Sequence, residues 1–220
     1  PGRSGPAVAN WFHEFAASNS GFDCELVDLA DFDLPVYHPN NQIARETHIA
    51  TFLCPGDGIS PSGYIEMGPE RFAMGCYVAN FGPPDLDADQ EQREGVFSRN
   101  SSTRLRQIRD GLSKTLMIGE RQNGPFRAGI ELNNHFEYET TWAASVRDID
   151  DPTDDHGHMT LFQTGHVPND PVSDDRDVSA SHDGLAQFLL CDGSVFPVAD
   201  GIALPSYSAM GTRAGSEIVP

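Results

Sequence analysis

The clearest pattern in the chain is a pair of short apolar runs near the C-terminus, separated by a turn signal. Residues 188–191 (FLLC) are followed by Asp192 and Gly193, and then by the run at 195–198 (VFPV). Asp-Gly between two apolar runs indicates a hairpin. A type I′ turn needs positive φ at both central residues, which Asp tolerates and Gly prefers. The pattern therefore predicts a β-hairpin that turns at Asp192 and Gly193.

Elsewhere the apolar positions predict one helix followed by short strands. Val8, Trp11, Phe12 and Phe15 recur at helical spacing, which indicates an amphipathic N-terminal helix. The later apolar runs are separated by Asp-Gly and Gly-Pro turns rather than by helical patterns, which favours antiparallel pairing. We therefore expect an α+β fold, with the helix packed on an antiparallel, hairpin-rich sheet with long loops. Strands are expected at residues 22–29, 74–81, from 96, 113–120 and 142–146, and a turn-rich segment near the C-terminus.

Four motifs occur in a fixed order along most of the chain. His182 precedes Asp192 and Gly193 by the spacing H-x9-DG. The other three are FLCPGD at 52–57, which contains Cys54; IRDGLSKTL at 108–116, with Asp110 and Gly111, followed by Gly119-Glu120-Arg121; and YSAMGTRAGSE at 207–217.

Together these motifs resemble the prepilin-type, processing-associated H-x9-DG family over about residues 38–220. The first of the three is similar to that family's FLCPSD signature, with Gly56 in place of Ser. The resemblance implies the globular head of a pilin- or pseudopilin-like protein that follows a membrane helix. It also implies a place in the cell envelope or outside the cell, and partners that are protein subunits of a filament or of type II secretion. The family has no established chemistry.

Residues 1–37 resemble a different family. The stretch PGRSGPAVANWF, followed by ELVDLADFDLP, is similar to the start of NADPH-dependent FMN reductases of flavodoxin-like fold. Only the end of that family's phosphate loop is present, and residues 38–220 do not supply the further βα units of a doubly wound sheet. We therefore divide the chain at 37/38. The first part is a helix–strand segment, either a flavodoxin-like remnant or the end of a pilin-type helix, and the second is an H-x9-DG pilin-like globular domain. FMN binding is an expectation only under the alternative of an FMN reductase-like flavoprotein.

Charge and hydropathy limit the classes of partner. The net charge of −19 over 220 residues disfavours binding to nucleic acid and to anionic membrane surfaces. It suits an exported soluble protein or a cation binder. No apolar stretch reaches the roughly 18–20 residues that span a bilayer, and the chain begins with Pro rather than Met. The sequence is therefore interpreted as a fragment or a processed chain that lacks its membrane helix.

Two acidic loops are candidate cation sites. Asp85, Asp87 and Asp89 alternate as at the start of an EF-hand loop, but Gln90 and Val96 stand where that loop needs Gly and Glu. A second cluster precedes His158 and includes Asp150, Asp154 and Asp155. Carboxylates of this kind suit Ca²⁺ or Mg²⁺, and the added histidine in the second cluster would suit Zn²⁺ or Mn²⁺. The alternative is that both are solvated loops.

The cysteines leave two interpretations open. Cys24, Cys54, Cys76 and Cys191 have no zinc-binding spacing. Export would allow a Cys54–Cys76 disulfide. The alternative is buried free thiols that pack as small hydrophobic groups.

No set of residues shows the spacing of a catalytic centre. Glu120 follows an apolar run, and a buried carboxylate there would need a partner such as Arg121 or Arg109. His182 is expected to fix the chain ahead of the hairpin, since no nucleophile motif accompanies it. The sequence thus favours a non-enzymatic protein that acts through protein–protein contacts. An extracellular ligand- or cation-binding module is the further alternative.

Overall fold

The computed structural model describes residues 42–57, 63–67, 69–83, 86, 94–99, 101–123, 140–145 and 157–216, together with Asn10, His13, Glu14 and Ser18. The chain divides into two units, Pro1–His38 and Pro39–Pro220. In the first unit the four described residues are helical. The apolar face of the predicted N-terminal helix and the predicted strand at 22–29 lie outside the described residues. The other described residues, 42–216, belong to the second unit.

The described residues of the second unit form two sheets and few helices, which confirms the α+β prediction. Its strands are β1 (Tyr64–Met67), β2 (Glu70–Ala73), β3 (Tyr77–Gly82), β4 (Leu116–Glu120), β5 (Leu161–Gln163), β6 (Leu185–Leu190) and β7 (Val195–Ala199). The α-helices are α1 (Gln42–Arg45) and α2 (Leu204–Gly211), and short 3₁₀ helices cover Ala50–Phe52, Leu105–Gln107 and Gly157–Met159. No helix in the described part of the chain is long and apolar enough to cross a membrane.

The larger sheet has the strand order β5-β3-β4-β6-β7, and β1 and β2 form a separate antiparallel pair. Three pairs in the large sheet are antiparallel, as predicted: β3–β4, β4–β6 and β6–β7. The fourth pair, β3–β5, is parallel. β5 follows β4 along the chain after residues 121–160, but it lies beyond β3 at the edge of the sheet. The prediction that the sheet is antiparallel throughout is therefore wrong for this pair.

The hairpin predicted at Asp192-Gly193 is confirmed, but its predicted turn type is wrong. β6 and β7 pair from Leu185↔Ala199 to Leu189↔Val195. The N–H of Gly193 donates to the carbonyl of Leu190, the N–H of Leu190 donates to the carbonyl of Ser194, and only Gly193 has positive φ, at +89°. This is a three-residue loop with glycine in the left-handed position, rather than a two-residue type I′ turn.

The main core lies on one face of the large sheet. β6 alternates, with Ala186, Phe188 and Leu190 buried, as expected for a strand with one covered face. Phe188 meets Phe162 of β5 and Tyr207 of α2, each at a ring-centroid distance of 5.9 Å. Helix α2 was not among the predicted elements. Pro205 in its first turn and the fully buried Tyr207 explain why this segment forms a docked helix.

Two predicted strands are wrong. Residues 94–99 form turns and irregular backbone instead of a strand starting at Val96. In residues 140–145, Thr141 makes an isolated bridge to Met74, and no strand includes Trp142. The predicted strands at 74–81 and 113–120 correspond to β3 and β4, with starts that fall three residues later.

Candidate functional site

Cys54 is placed by a tight turn in the FLCPGD motif. The N–H of Asp57 donates to the carbonyl of Cys54 at 3.0 Å, which closes the turn. The N–H of Cys76 donates to the carbonyl of Phe52 at 2.8 Å and ties this loop to the segment that leads into β3. The Cys54 thiol is thereby buried, with 7% of the residue exposed.

Glu120, the last residue of β4, is buried beside β6. Its Oε1 accepts a hydrogen bond from the backbone N–H of Gln187 at 2.7 Å, and its Oε2 lies 3.5 Å from Nε2 of His182. Burial raises the pKa of Glu120, while the Gln187 N–H and His182 oppose that rise. The prediction that Glu120 is buried is confirmed. The predicted arginine partner is not what the structure gives: the carboxylate is held by Gln187 and His182.

His182 of the H-x9-DG motif lies beside Cys54 of the FLCPGD motif and Glu120 at the end of β4. Its Nε2 lies 3.8 Å from the Sγ of Cys54, as well as 3.5 Å from Glu120 Oε2. Three possible ligand atoms lie within 4.8 Å of one another, one each from Cys54, Glu120 and His182. Tyr77 borders this group, and burial together with the charges of Cys54, Cys76 and Glu120 raises its pKa. We call Cys54, Glu120 and His182 the CEH cluster.

The same ring nitrogen of His182 faces both the thiol and the carboxylate. A nucleophile–base–acid relay needs the nucleophile on one ring nitrogen and the orienting carboxylate on the other. The CEH cluster instead points three donor atoms at one location. It is therefore arranged as a binding group rather than as a proton relay.

A disulfide between Cys54 and Cys76 does not form, and the free-thiol interpretation is correct for the described cysteines. Cys54, Cys76 and Cys191 are free and buried. The thiol of Cys76 donates to Oδ2 of Asp57 at 3.5 Å, and this oxygen also accepts the N–H of Asn123 at 2.6 Å. Cys24 lies outside the described residues.

Sequence reasoning missed the buried polar contacts of Asp57 and Asn123. The side chain of Asn123 donates to the carbonyl of Gly75 and accepts the N–H of Thr140 at 3.0 Å. Together Asp57 and Asn123 connect the Cys54 loop to the segment before β3 and the segment after β4. Asp57 closes the FLCPGD motif, which was a usable signal for it. No motif marks Asn123.

Asp110 of the second motif holds the C-terminal motif. Its carboxylate accepts hydrogen bonds from the hydroxyl of Thr212 at 3.0 Å, the N–H of Gly215 at 2.7 Å and the N–H of Ser216 at 3.0 Å. The following Gly111 has φ of +107°, so the turn needs glycine there. Both residues are thus structural in the described part of the chain.

The hairpin loop docks on the same turn. The N–H of Asp192 donates to the carbonyl of Leu112 at 3.1 Å, and that of Cys191 to the carbonyl of Thr115 at 3.0 Å. Oδ1 of Asp192 accepts the N–H of Ser194 at 2.9 Å and its hydroxyl at 2.6 Å, which lowers the pKa of the carboxyl group. Burial raises the pKa of the Cys191 thiol to about 11, so this cysteine is unreactive at neutral pH.

A pocket of about 350 Å³ opens beside the hairpin. We call it the hairpin pocket. Its lining combines the apolar side chains of β6, β7 and α2 with polar residues of the 110–114 turn. The lining residues are Asp110, Ser113, Lys114, Leu190, Phe196, Ala209 and Met210.

The predicted calcium ligands lie outside the described residues. This applies to Asp85, Asp87 and Asp89 and equally to Asp150, Asp154 and Asp155. Of the residues that the structure does describe, the CEH cluster is where His, Cys and carboxylate ligands come together.

One protein-family comparison matches the chain. A family model described as "Protein of unknown function (DUF1559)" covers residues 23–204. The match contains three of the four motifs and begins inside the segment that resembles FMN reductases. No curated protein and no solved structure matches the chain significantly.

Proposed function

The chain belongs to the DUF1559 family, and we propose that it is a non-enzymatic envelope or surface protein that works through protein–protein contacts. In its finer form the proposal is a pilin- or pseudopilin-like subunit of a filament or secretion assembly. The motif resemblance over about residues 38–220 supports this form. The observation that carries the contact role is the exposed apolar end of the β6–β7 hairpin.

This end of the hairpin has the character of an interface. Val195 is 68% exposed and Phe196 is 47% exposed, and the ring of Phe196 lines the hairpin pocket. Exposed apolar side chains beside an apolar pocket are typical of contact sites, where a buried aromatic anchor supplies much of the binding energy. The occupant we propose is an apolar side chain of a neighbouring protein subunit.

The edge strand itself favours side-chain contact over strand addition. β7 lies at one edge of the sheet, and four of its five residues are exposed. Pro197 in this strand lacks an N–H donor. Proline on an edge strand discourages pairing with a further strand. A partner would therefore bind across the hairpin face and into the pocket.

The experiment follows the full-length gene product in its own host. Cells are separated into cytosol, envelope and material sheared from the surface, and a photoreactive residue replaces Val195. A matched control replaces Val172, which is 67% exposed and is not one of the residues that line the hairpin pocket.

We expect the protein in the envelope or sheared fraction, with a single crosslinked protein of defined mass formed from position 195 and none from position 172. A freely cytosolic monomer would overturn the envelope assignment. Equal crosslinking from both positions would overturn the proposal that the hairpin end is the contact surface.

A further inference from the structure

The donor atoms of the CEH cluster are spaced as ligands of one metal ion. In a tetrahedral zinc site, Zn–S is about 2.3 Å and Zn–N and Zn–O are about 2.0–2.2 Å, so neighbouring donor atoms lie about 3.3–3.6 Å apart. The Sγ–Nε2 distance of 3.8 Å and the Nε2–Oε2 distance of 3.5 Å are close to these values. All three donor atoms lie within 4.8 Å of one another, so the side chains must move inward to complete the geometry.

We propose that Cys54, Glu120 and His182 bind a single Zn²⁺ ion. One thiolate, one imidazole and one carboxylate form a borderline-soft set that suits zinc, whereas Ca²⁺ and Mg²⁺ require oxygen donors. Binding displaces the proton of the Cys54 thiol to solvent, since the thiolate is the ligand. This site uses none of the acidic loop residues considered above.

Hydrogen bonds from residues other than the three ligands fix the ligand side chains, as is usual in metal sites. The Gln187 N–H fixes Oε1 of Glu120 and leaves Oε2 directed at His182. The turn that ends at Asp57 fixes Cys54. Because Cys54 and Glu120 are 7% and 4% exposed, a cation here would compensate a carboxylate that has lost its water.

The cluster is reached from solvent on the His182 side. The side chain of His182 is 40% exposed. A Cβ atom at Gly56 would lie 3.6 Å from both Cys54 Sγ and His182 Cε1, so glycine at this position leaves the approach to the two ligands open. A water molecule would complete the tetrahedron. The ion would fasten the 50–57 loop, the end of β4 and the segment before β6 to one another.

The test titrates the metal-free chain with Co²⁺, which takes zinc sites and produces a thiolate-to-metal charge-transfer band in the near ultraviolet. Carboxylate-only sites produce no such band, so binding to acidic loops is not counted. The variants are Cys54→Ser, Glu120→Gln and His182→Ala. Cys191→Ser, which removes another buried thiol, is the matched control.

We expect one equivalent of Co²⁺ to produce the band and Zn²⁺ to abolish it by displacement. Cys54→Ser should lose the band. Glu120→Gln and His182→Ala should weaken binding by more than about tenfold, since loss of even an outer-shell partner can have an effect of that size. Cys191→Ser should bind as the wild type does. A band that survives Cys54→Ser, or the lack of any saturable band in the wild type, would overturn the proposal.

A second measurement uses the wild-type chain alone. Alkylation of the wild-type thiols is followed by peptide mass spectrometry with and without Zn²⁺. Specific protection of Cys54 supports the site. Unchanged alkylation of Cys54 at saturating Zn²⁺ contradicts it.

Discussion

The carboxylate of Asp110 accepts a hydrogen bond from the hydroxyl of Thr212 at 3.0 Å, although the two residues are 102 positions apart. With the N–H groups of Gly215 and Ser216, this makes Asp110 the anchor of residues 212–216. The contact joins two of the sequence motifs and closes the fold around α2.

Replacing Asp110 by Ala should release this C-terminal segment. The free energy of unfolding should fall by about 1–3 kcal/mol, because three donors lose a shared carboxylate acceptor. Tryptic cleavage after Arg213 should become faster in the folded protein. Asp183→Ala, an exposed aspartate in the loop before β6, is the control and should leave both quantities unchanged. Equal behaviour of the two variants would contradict the anchoring role.

Gly119, which precedes Glu120 near the end of β4, allows this strand to lie close to the core. A Cβ atom there would approach Phe188 Cε1 and Val178 Cγ2 to 2.9 Å each, and both side chains are buried. Gly119→Ala should therefore lower stability by about 1–3 kcal/mol through overpacking. Gly201→Ala, where no atom lies within 4 Å of the new Cβ, should change it by less than about 0.5 kcal/mol. Urea unfolding measures both, and comparable losses would mean that the close approach is wrong.

Arg121 is a fully buried arginine that binds three backbone carbonyls, two in residues 158–161 and one at Asp177. Its guanidinium donates to the carbonyl of His158, to that of Leu161 at 3.0 Å and to that of Asp177 at 2.7 Å. Lysine cannot reproduce this planar set of donors.

We expect Arg121→Lys to destabilise the fold by at least about 2 kcal/mol, because buried carbonyls lose their donors. The control is Arg109→Lys at an exposed position, which should change the stability little. Thermal unfolding followed by circular dichroism compares the two. An Arg121→Lys variant as stable as wild type would contradict the bridging role.

His166 contributes stability that depends on pH. Its Nδ1 lies 2.8 Å from Oδ2 of the buried Asp177, and this hydrogen bond, with the nearby Asp174 and Asp170, raises the pKa of His166. Protonated His166 therefore stabilises the folded state. This contribution is fully present below the pKa of histidine in the unfolded chain, near 6.5, and it is lost as pH rises through the pKa of His166 in the folded protein.

The difference in free energy of unfolding between wild type and His166→Gln should therefore be larger at pH 6 than at pH 9. Because the His166 side chain is 38% exposed, solvent screening should keep the difference small. Denaturant titrations at the two pH values measure it. A difference that grows with pH would show that the pair does not act in this way.

The pattern of apolar positions along the chain is sufficient to predict the strands that carry a clear apolar run. The β6–β7 hairpin, β3 and β4 carry apolar runs next to Gly or Asp-Gly turns, and these signals are sufficient to locate them. The turn type was missed because Asp192 uses its side chain to bind Ser194, which favours a looser loop over the two-residue turn.

The remaining errors come from contacts between distant segments. β5 pairs with β3 in parallel because of tertiary packing, and three residues at 161–163 carry too little pattern to reveal it. Helix α2 depends on Tyr207 packing against Phe188. The CEH cluster was present in the sequence as separate motif residues. Spacing along the chain does not show that residues 54, 120 and 182 meet.

The meeting of the Gly-Glu and H-x9-DG motifs at Glu120 and His182 is the relationship on which the site rests. A double-mutant cycle of Glu120→Gln and His182→Gln, measured by urea unfolding near neutral pH with a chelator present, tests it without any metal. We predict a favourable coupling free energy of about 0.5–1 kcal/mol between the two side chains, which is typical of a partly exposed pair. Effects of the two substitutions that simply add would contradict the account.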